Sequence, residues 1–379
     1  MAKQAAPPLP PAERWAYGTT LLAFVVIVLG AYTRLTDAGL GCPDWPGCYG
    51  QLVPQANAAN SLINTSKAWT EMIHRYLAGS LGIIIFALAF FIIKNKSSFK
   101  KQSQILALAT SGLVVFQALL GMWTVTLKLF PAIVMAHLMG GLATLSLLWW
   151  LTLTLRSHNT ALYKNNFPFF RSPNSLRSNI GSLKSKSYFR TKPHALRIWG
   201  ITGLIMLVIQ IFLGGWTSAN YAALVCLDFP FCNNIHQDLG LNFQLANIFE
   251  AFNFTSVGVD GSQGTPLRHA ARILIHMMHR IGALLTILIL GWLALLAWMR
   301  SQNKHIRMIS IVMASLLMIQ ILLGITNILA KLPLAIAVAH NAVAALLLLS
   351  VVTLNYFMYT LNNRILGAAQ HESARGVYT

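Results

Sequence analysis

Four histidines, His74, His137, His279 and His340, lie inside strongly apolar stretches of the chain. An ionisable side chain within a bilayer span is costly and defaults to a functional reading, and imidazole is a common metal ligand. The four form two matched pairs: His74 and His279 are 205 residues apart, and His137 and His340 are 203 apart. Such recurrence points to two versions of one site. The other residues able to do chemistry gather nearby. The four cysteines make two Cys-x5-Cys pairs, Cys42/Cys48 and Cys226/Cys232, and Glu71 stands three residues before His74.

Each histidine has a small residue one turn later on the same helical face, namely Ala78, Gly141, Ala283 and Ala344. Small side chains there leave room for a flat macrocycle, although they also serve ordinary close packing of membrane helices. Two imidazoles from facing helices, with no soft ligand beside them, suit a b-type haem held through its iron. Arg75 and Arg280 directly follow two of the histidines. They are expected either to pair with haem propionates or to snorkel toward lipid headgroups. Glu71 shares a face with His74, whereas its counterpart before His279 is His276. As an interfacial helix-start residue it would gain only about 0.3–1 kcal/mol from the helix dipole. On a haem face it could stabilise developing charge or relay protons. One reactive haem site and one electron-transfer or structural site is the reading this asymmetry favours.

The elements that position these residues are helices that span a membrane. The chain of 379 residues is 56% hydrophobic and only 10% charged. Apolar runs over roughly 15–34, 71–93, 104–126, 132–155, 196–217, 270–299, 306–328 and 334–360 reach the ~20 residues that cross a bilayer. An all-α polytopic protein of eight transmembrane helices is expected. The net charge of +19 is mainly topological and implies no nucleic acid. Lys94, Lys96, Lys100 and Lys101 share one side with Arg300, Lys304, Arg307 and nine Lys or Arg between Arg156 and Arg197. Asp37, Asp44, Asp228, Asp238, Glu250 and Asp260 populate the opposite loops. By the positive-inside rule both termini are cytoplasmic, and the Cys loops and haem sites face the periplasmic side of a bacterial inner (plasma) membrane. Met1–Arg14 reads as neither a cleavable signal nor a transit peptide. On that oxidising side a local disulfide is expected in each loop. Zinc is disfavoured by spacing and location, and a redox pair exchanging with an external thiol carrier stays open.

The chain repeats itself. Gly30–Cys48 aligns without a gap to Gly214–Cys232, matching Gly30, Thr33, Ala38, Leu40, Cys42, Asp44, Pro46 and Cys48. Ile73-His74-Arg75 aligns with Met278-His279-Arg280, and Gln117–Gly121 through His137 aligns with Gln320–Gly324 through His340. Because four helices per repeat is an even number, both halves insert the same way, giving two pseudo-symmetric parallel four-helix bundles. The organisation read from this is an N-terminal half over 1–156, a basic cytoplasmic linker over 157–193, and a C-terminal half over 194–379.

Taken together, the loop Thr33–Leu40 with Cys42 and Cys48, the Glu-x-x-His-Arg motif at Glu71–Arg75, and His137, His279 and His340 resemble the haem A synthase family across all eight helices. The resemblance implies a haem-dependent oxidoreductase that oxidises the C8 methyl of haem O to a formyl group, yielding haem A for terminal oxidases. It implies two hydroxylations through a geminal diol, with substrate haem O on His74 and His137 and a haem b on His279 and His340. It makes Glu71 the catalytic carboxylate, and pairs Cys42 with Cys48 and Cys226 with Cys232. Implied partners are the lipid bilayer, a haem O synthase, an electron donor and the assembly of a terminal oxidase, and a homo-oligomer is compatible with it. His279 is preferred over His276 as ligand because His-Arg aligns with His74-Arg75. The long segments 157–193 and 233–270 carry no transferable role. The rival readings are a di-haem electron conduit, linked to quinone or thiol, and a haem carrier.

Overall fold

In the computed structural model, residues 11–54, 65–162, 193–228, 232, 245–254, 267–301 and 303–376 are described. Nine α-helices are found among them: α1 Pro11–Leu35, α2 Thr65–Lys94, α3 Lys101–Thr126, α4 Pro131–Leu162, α5 Pro193–Ala219, α6 Leu245–Ala251, α7 His269–Arg300, α8 Lys304–Leu329 and α9 Leu334–Gly376. All but the short α6 contain an apolar span, 24 to 32 residues long, against the ~20 that a bilayer requires. The chain is a multi-pass membrane protein. Helices suit such a solvent because every backbone group is bonded within the segment. Threonines buried in the spans follow the same rule, as when Thr20 donates to the Ala16 carbonyl at 2.8 Å and Thr217 to Leu213 at 2.8 Å.

The chain divides into two compact units, Met1–Gly181 and Ser182–Thr379. Within the first, α1 packs on α2 and α4, and α3 packs on α2 and α4, which closes a ring of four. Within the second, α5, α7, α8 and α9 close a ring in the corresponding order, with α6 against α7. The first unit's apolar core, Ala12, Ala16, Leu88, Ala89, Ile92, Ala107, Leu151 and Leu155, joins the start of α1 and α3 to the end of α2 and α4. It thereby leaves the histidines at the other end of the bundle.

The repeat is visible in the backbone of each unit. Asp37 after α1 and Tyr221 after α5 both adopt left-handed φ, 50° and 51°, and each is followed by an N–H bonded back to a threonine carbonyl, Ala38 to Thr33 and Ala222 to Thr217. The paired residues Lys128-Leu129 and Lys331-Leu332 are likewise left-handed and end α3 and α8. This caps a helix at a sharp exit despite the cost to side chains bearing a Cβ.

Three expectations need correction. The second helix begins at Thr65 rather than at 71, so Glu71 lies beyond its first turn and is not a helix-start residue. His74 is accordingly about 14 Å along its helix, while His279 is about 15 Å and His137 and His340 about 9 Å along theirs. Glu13, expected ahead of the first span, sits buried in its first turn. Residues 163–192 of the linker and most of the loop 233–270 lie outside the described residues.

Candidate functional site

Each of the four imidazoles is seated against a glycine on the preceding spanning helix. A Cβ added at Gly30 would lie 3.0 Å from Cε1 of His74, at Gly121 3.3 Å from that of His137, at Gly214 2.9 Å from that of His279, and at Gly324 3.2 Å from that of His340. The same notch thus recurs on α1/α2, α3/α4, α5/α7 and α8/α9. Within the first unit His74 and His137 are in electrostatic reach of one another, and within the second His279 is in reach of His340 and His276. The structure therefore brings together the pairs expected from the sequence.

Glutamines accompany three of the notches. Gln117 Nε2 donates to the His137 carbonyl at 3.0 Å. Gln210 Nε2 lies 3.0 Å from His279 Nδ1 and donates to the His279 carbonyl at 3.1 Å, and Gln320 Nε2 lies 3.2 Å from His340 Nε2. The notch glycines and these glutamines were not read as site residues from the sequence. Their signal was present nonetheless, since Gln117–Gly121 and Gln320–Gly324 belong to the aligned repeat.

Above His74 lies the first cysteine loop. Cys42 is joined to Cys48, and Cys226 to Cys232, so the expected disulfide forms in both loops. Cys42 and Cys48 pack on Ala68 and Met72 of α2. Gly41 makes this approach feasible, because a Cβ there would stand 2.6 Å from the Lys67 carbonyl carbon. Glu71 is 4% exposed and is gripped at both oxygens. Its Oε2 accepts the Cys42 N–H at 2.9 Å, and its Oε1 accepts from Arg75 Nη2 at 2.5 Å. Arg75 Nη1 in turn donates to the carbonyls of Asp44 at 2.9 Å and Gly47 at 2.6 Å. The loop is closed further by Asp44, whose carboxylate accepts the N–H groups of Tyr49 at 2.6 Å and Gly50 at 2.8 Å. Partial burial works against the charged form of Asp44, but those N–H groups and the Arg75 charge outweigh it and hold the carboxyl below its ordinary range.

The second loop is built on the same plan with one exchange. Arg280 donates from Nη1 to the Asp228 carbonyl and from Nη2 to the Cys226 carbonyl, both at 2.7 Å. His276, 4% exposed, stands in the place of Glu71. Both arginines thus reach loop carbonyls, a use of them that sequence reasoning missed. It depends on how each loop folds back over its helix, which no spacing reveals.

Among the described residues no three His, Cys, Asp or Glu converge on one point. Paired imidazoles suit instead an iron group that brings most of its own ligands, which His74 and His137, or His279 and His340, would complete. The ring Nδ1 atoms of His74, His137 and His340 are buried and make no hydrogen bond. Buried ring nitrogens without partners and glycine notches that admit the rings both fit such a group.

The family model described as cytochrome oxidase assembly protein, COX15-CtaA, matches residues 13–352. A heme A synthase of Shewanella oneidensis is 40% identical over 351 residues, spanning 90% of this chain and 94% of the relative. A heme A synthase of Novosphingobium aromaticivorans is 26% identical over 365 residues, spanning 88% and 91%. One from Bacillus licheniformis is 27% identical over 216 residues, spanning 57% and 61%.

Proposed function

The chain belongs to the COX15-CtaA family of cytochrome oxidase assembly proteins, and we propose that it is an oxidoreductase that makes haem A from haem O by converting the C8 methyl to a formyl group. The observation that carries this reading is the 40% identity, over nine tenths of the chain, to a protein named for that synthesis.

In this reading His74 and His137 hold the substrate haem O by its iron, and His279 and His340 hold a resident haem b. That haem b would supply a relay for electrons. The halves, 1–156 and 194–379, act as two pseudo-symmetric parallel four-helix bundles joined by the linker 157–193. Glu71 is the residue that distinguishes them. Pinned by the Cys42 N–H and by Arg75 one turn before His74, its carboxylate is held at a fixed height beside the substrate site. A fixed carboxylate can stabilise charge developing at the methyl carbon without first reorganising. Arg75 and Arg280 hold the two loops over their bundles, and in this reading they would also pair with the haem propionates. The farnesyl tail of haem O is apolar, which favours a site that opens within the membrane.

The excess of Lys and Arg in one set of loops supports a reading in which both termini face the cytoplasm of a bacterium and the disulfide loops face the periplasm. A haem O synthase upstream, an electron donor and a terminal oxidase downstream complete its setting. The test is conversion of added haem O by purified protein in lipid. The wild type forms haem A, and Glu71→Ala keeps its haem but forms none. Loss of all haem from Glu71→Ala would instead make Glu71 a structural residue, and a wild type that leaves haem O unchanged would overturn the reaction.

A further inference from the structure

Three of the four notch glycines are preceded, one helical turn earlier, by glutamine: Gln117 before Gly121, Gln210 before Gly214 and Gln320 before Gly324. The fourth, Gly30, is preceded by Val26. A residue four positions earlier shares the face of its glycine, so each glutamine stands beside the imidazole seated in that notch. The contacts already described bear this out for Gln210, which reaches the ring at Nδ1, and Gln320, which reaches it at Nε2, whereas Gln117 reaches the His137 carbonyl.

These amides are costly to bury. The Oε1 atoms of Gln117, Gln210 and Gln320 are all buried and lack a hydrogen-bond partner. An unsatisfied buried acceptor costs roughly 1–3 kcal/mol, so three in equivalent places call for an explanation. Space is also made for two of them. A Cβ at Gly140 would lie 2.4 Å from Gln117 Nε2, and one at Gly282 would lie 2.4 Å from Gln210 Oε1. Each of those glycines stands three residues after its histidine, His137 or His279. The corresponding position after His74 is Leu77, and opposite it stands Val26. His74 Nδ1, like that of His137 and His340, is buried without a partner, and α1 offers it no amide where α5 offers His279 that of Gln210.

A histidine that binds a metal through Nε2 carries its proton on Nδ1, and the acceptor of that proton fixes the ring and raises its basicity. Turning the Gln210 amide, whose Nε2 lies 3.0 Å from His279 Nδ1, presents its idle Oε1 to that N–H.

On the proposed assignment of the two haem sites, we infer that Gln210 is a positioning residue that accepts the Nδ1–H of His279, and that Val26, in the equivalent place of the first half, leaves His74 without that support. The consequence is a division of labour. The site that must take up substrate and release product has an unsupported histidine at the place where the site that keeps its haem has a supported one.

The test is the rate at which each haem passes from the purified, lipid-embedded protein to excess apomyoglobin, followed by absorbance. In the wild type the His74/His137 haem leaves faster than the His279/His340 haem. Gln210→Val speeds loss of the second-half haem by about tenfold or more, as expected when a partner of a metal-bound histidine is removed. Gln210→Glu, which keeps an acceptor, restores a rate near that of the wild type. Val26→Gln combined with Leu77→Gly slows release from the first half by about tenfold. The first-half haem serves as a folding control for the Gln210 variants, and the second-half haem for the Val26 variant. A Gln210→Val protein that holds its second-half haem as long as the wild type overturns the inference while leaving the two-site reading intact. A wild type that binds no haem, or a His279→Ala protein that keeps its full complement, overturns the two-site reading and the inference with it.

Discussion

The two halves of the chain share a scaffold closely enough that their differences can be read residue against residue. Both close a ring of four spanning helices, both end two of those helices with left-handed residues at equivalent positions, and both seat two imidazoles in glycine notches. Both also clamp a disulfide loop with an arginine, through the carbonyl of Asp44 in one and of Asp228 in the other. What differs lies within a few residues of His74 and His279. The first half has Glu71, Leu77 and Val26 where the second has His276, Gly282 and Gln210. On the proposed assignment, duplication supplies the ligands, and a handful of exchanges around one histidine of each pair sets the reactive site apart from the retentive one.

The largest effect should come from exchanging the residues that differ most in charge. Glu71→His, which gives the first half the second half's residue, should lower haem A formation by about 10²–10⁴-fold, the range for losing a positioned acid or base. The reciprocal His276→Glu should confer no second reactive site, because Gln210 and Gly282 remain. Haem A formed at the wild-type rate by Glu71→His would erase the proposed difference between the halves.

The disulfides separate the halves less sharply. Opening either short loop should cost roughly 2 kcal/mol of stability by the chain-entropy estimate, measurable by thermal unfolding in detergent. Only Cys42→Ala should also reduce haem A formation, since Glu71 hangs on the Cys42 N–H. Cys226→Ala should leave that rate within a few-fold of the wild type. Full activity of Cys42→Ala would exclude both an essential redox role for the pair and the coupling to Glu71.

Notch substitutions should grade with the space available. Gly214→Ala places its Cβ 2.9 Å from His279 and Gly121→Ala 3.3 Å from His137. The first should shift its imidazole and cost about 1–3 kcal/mol. The second needs only a small adjustment and regains up to ~1 kcal/mol of helix propensity. Reversal of this order in thermal stability or haem content would show that the notches do not set the rings.

The smallest effect concerns Asp44. Its folded carboxyl lies below its ordinary range, so the stabilisation is fully present above the ordinary carboxylate pKa near 3.8 and is lost as pH falls through the lower folded value. Asp44→Asn should weaken the first loop by on the order of 1 kcal/mol near neutral pH and less in strong acid. Hydrogen exchange of the Tyr49 and Gly50 amides reads this directly, and an unchanged exchange rate would deny Asp44 its role as the loop's clasp.

Much of this comparison was legible in the sequence, and the reasons for the gaps are physical. The apolar runs marked the eight spans because lipid demands them, and gapless alignment of Gly30–Cys48 with Gly214–Cys232 exposed the repeat before any coordinates. The start of α2 was missed because Thr65, Ser66, Lys67 and Thr70 read as a polar loop. They are helical because Ala68 and Met72 are buried beneath the disulfide, a tertiary contact that outweighs local pattern. The paired grip on Glu71 was invisible for a similar reason, as it needs the Cys42 N–H and Arg75 to arrive from separate directions. The glutamines were visible but unused. Within a span, Gln117, Gln210 and Gln320 stand out as polar residues four before a glycine, and Val26 stands out only once that pattern is recognised.

The central claim is that the halves hold different haems for different purposes. It is tested most directly by extracting and identifying the haems from protein purified with haem O supplied, as wild type, His74→Ala and His279→Ala. The account predicts haem b together with haem O or haem A in the wild type, haem b alone in His74→Ala, and no haem b in His279→Ala. Haem b as the sole species in the wild type, or the same haem lost from both variants, would contradict it.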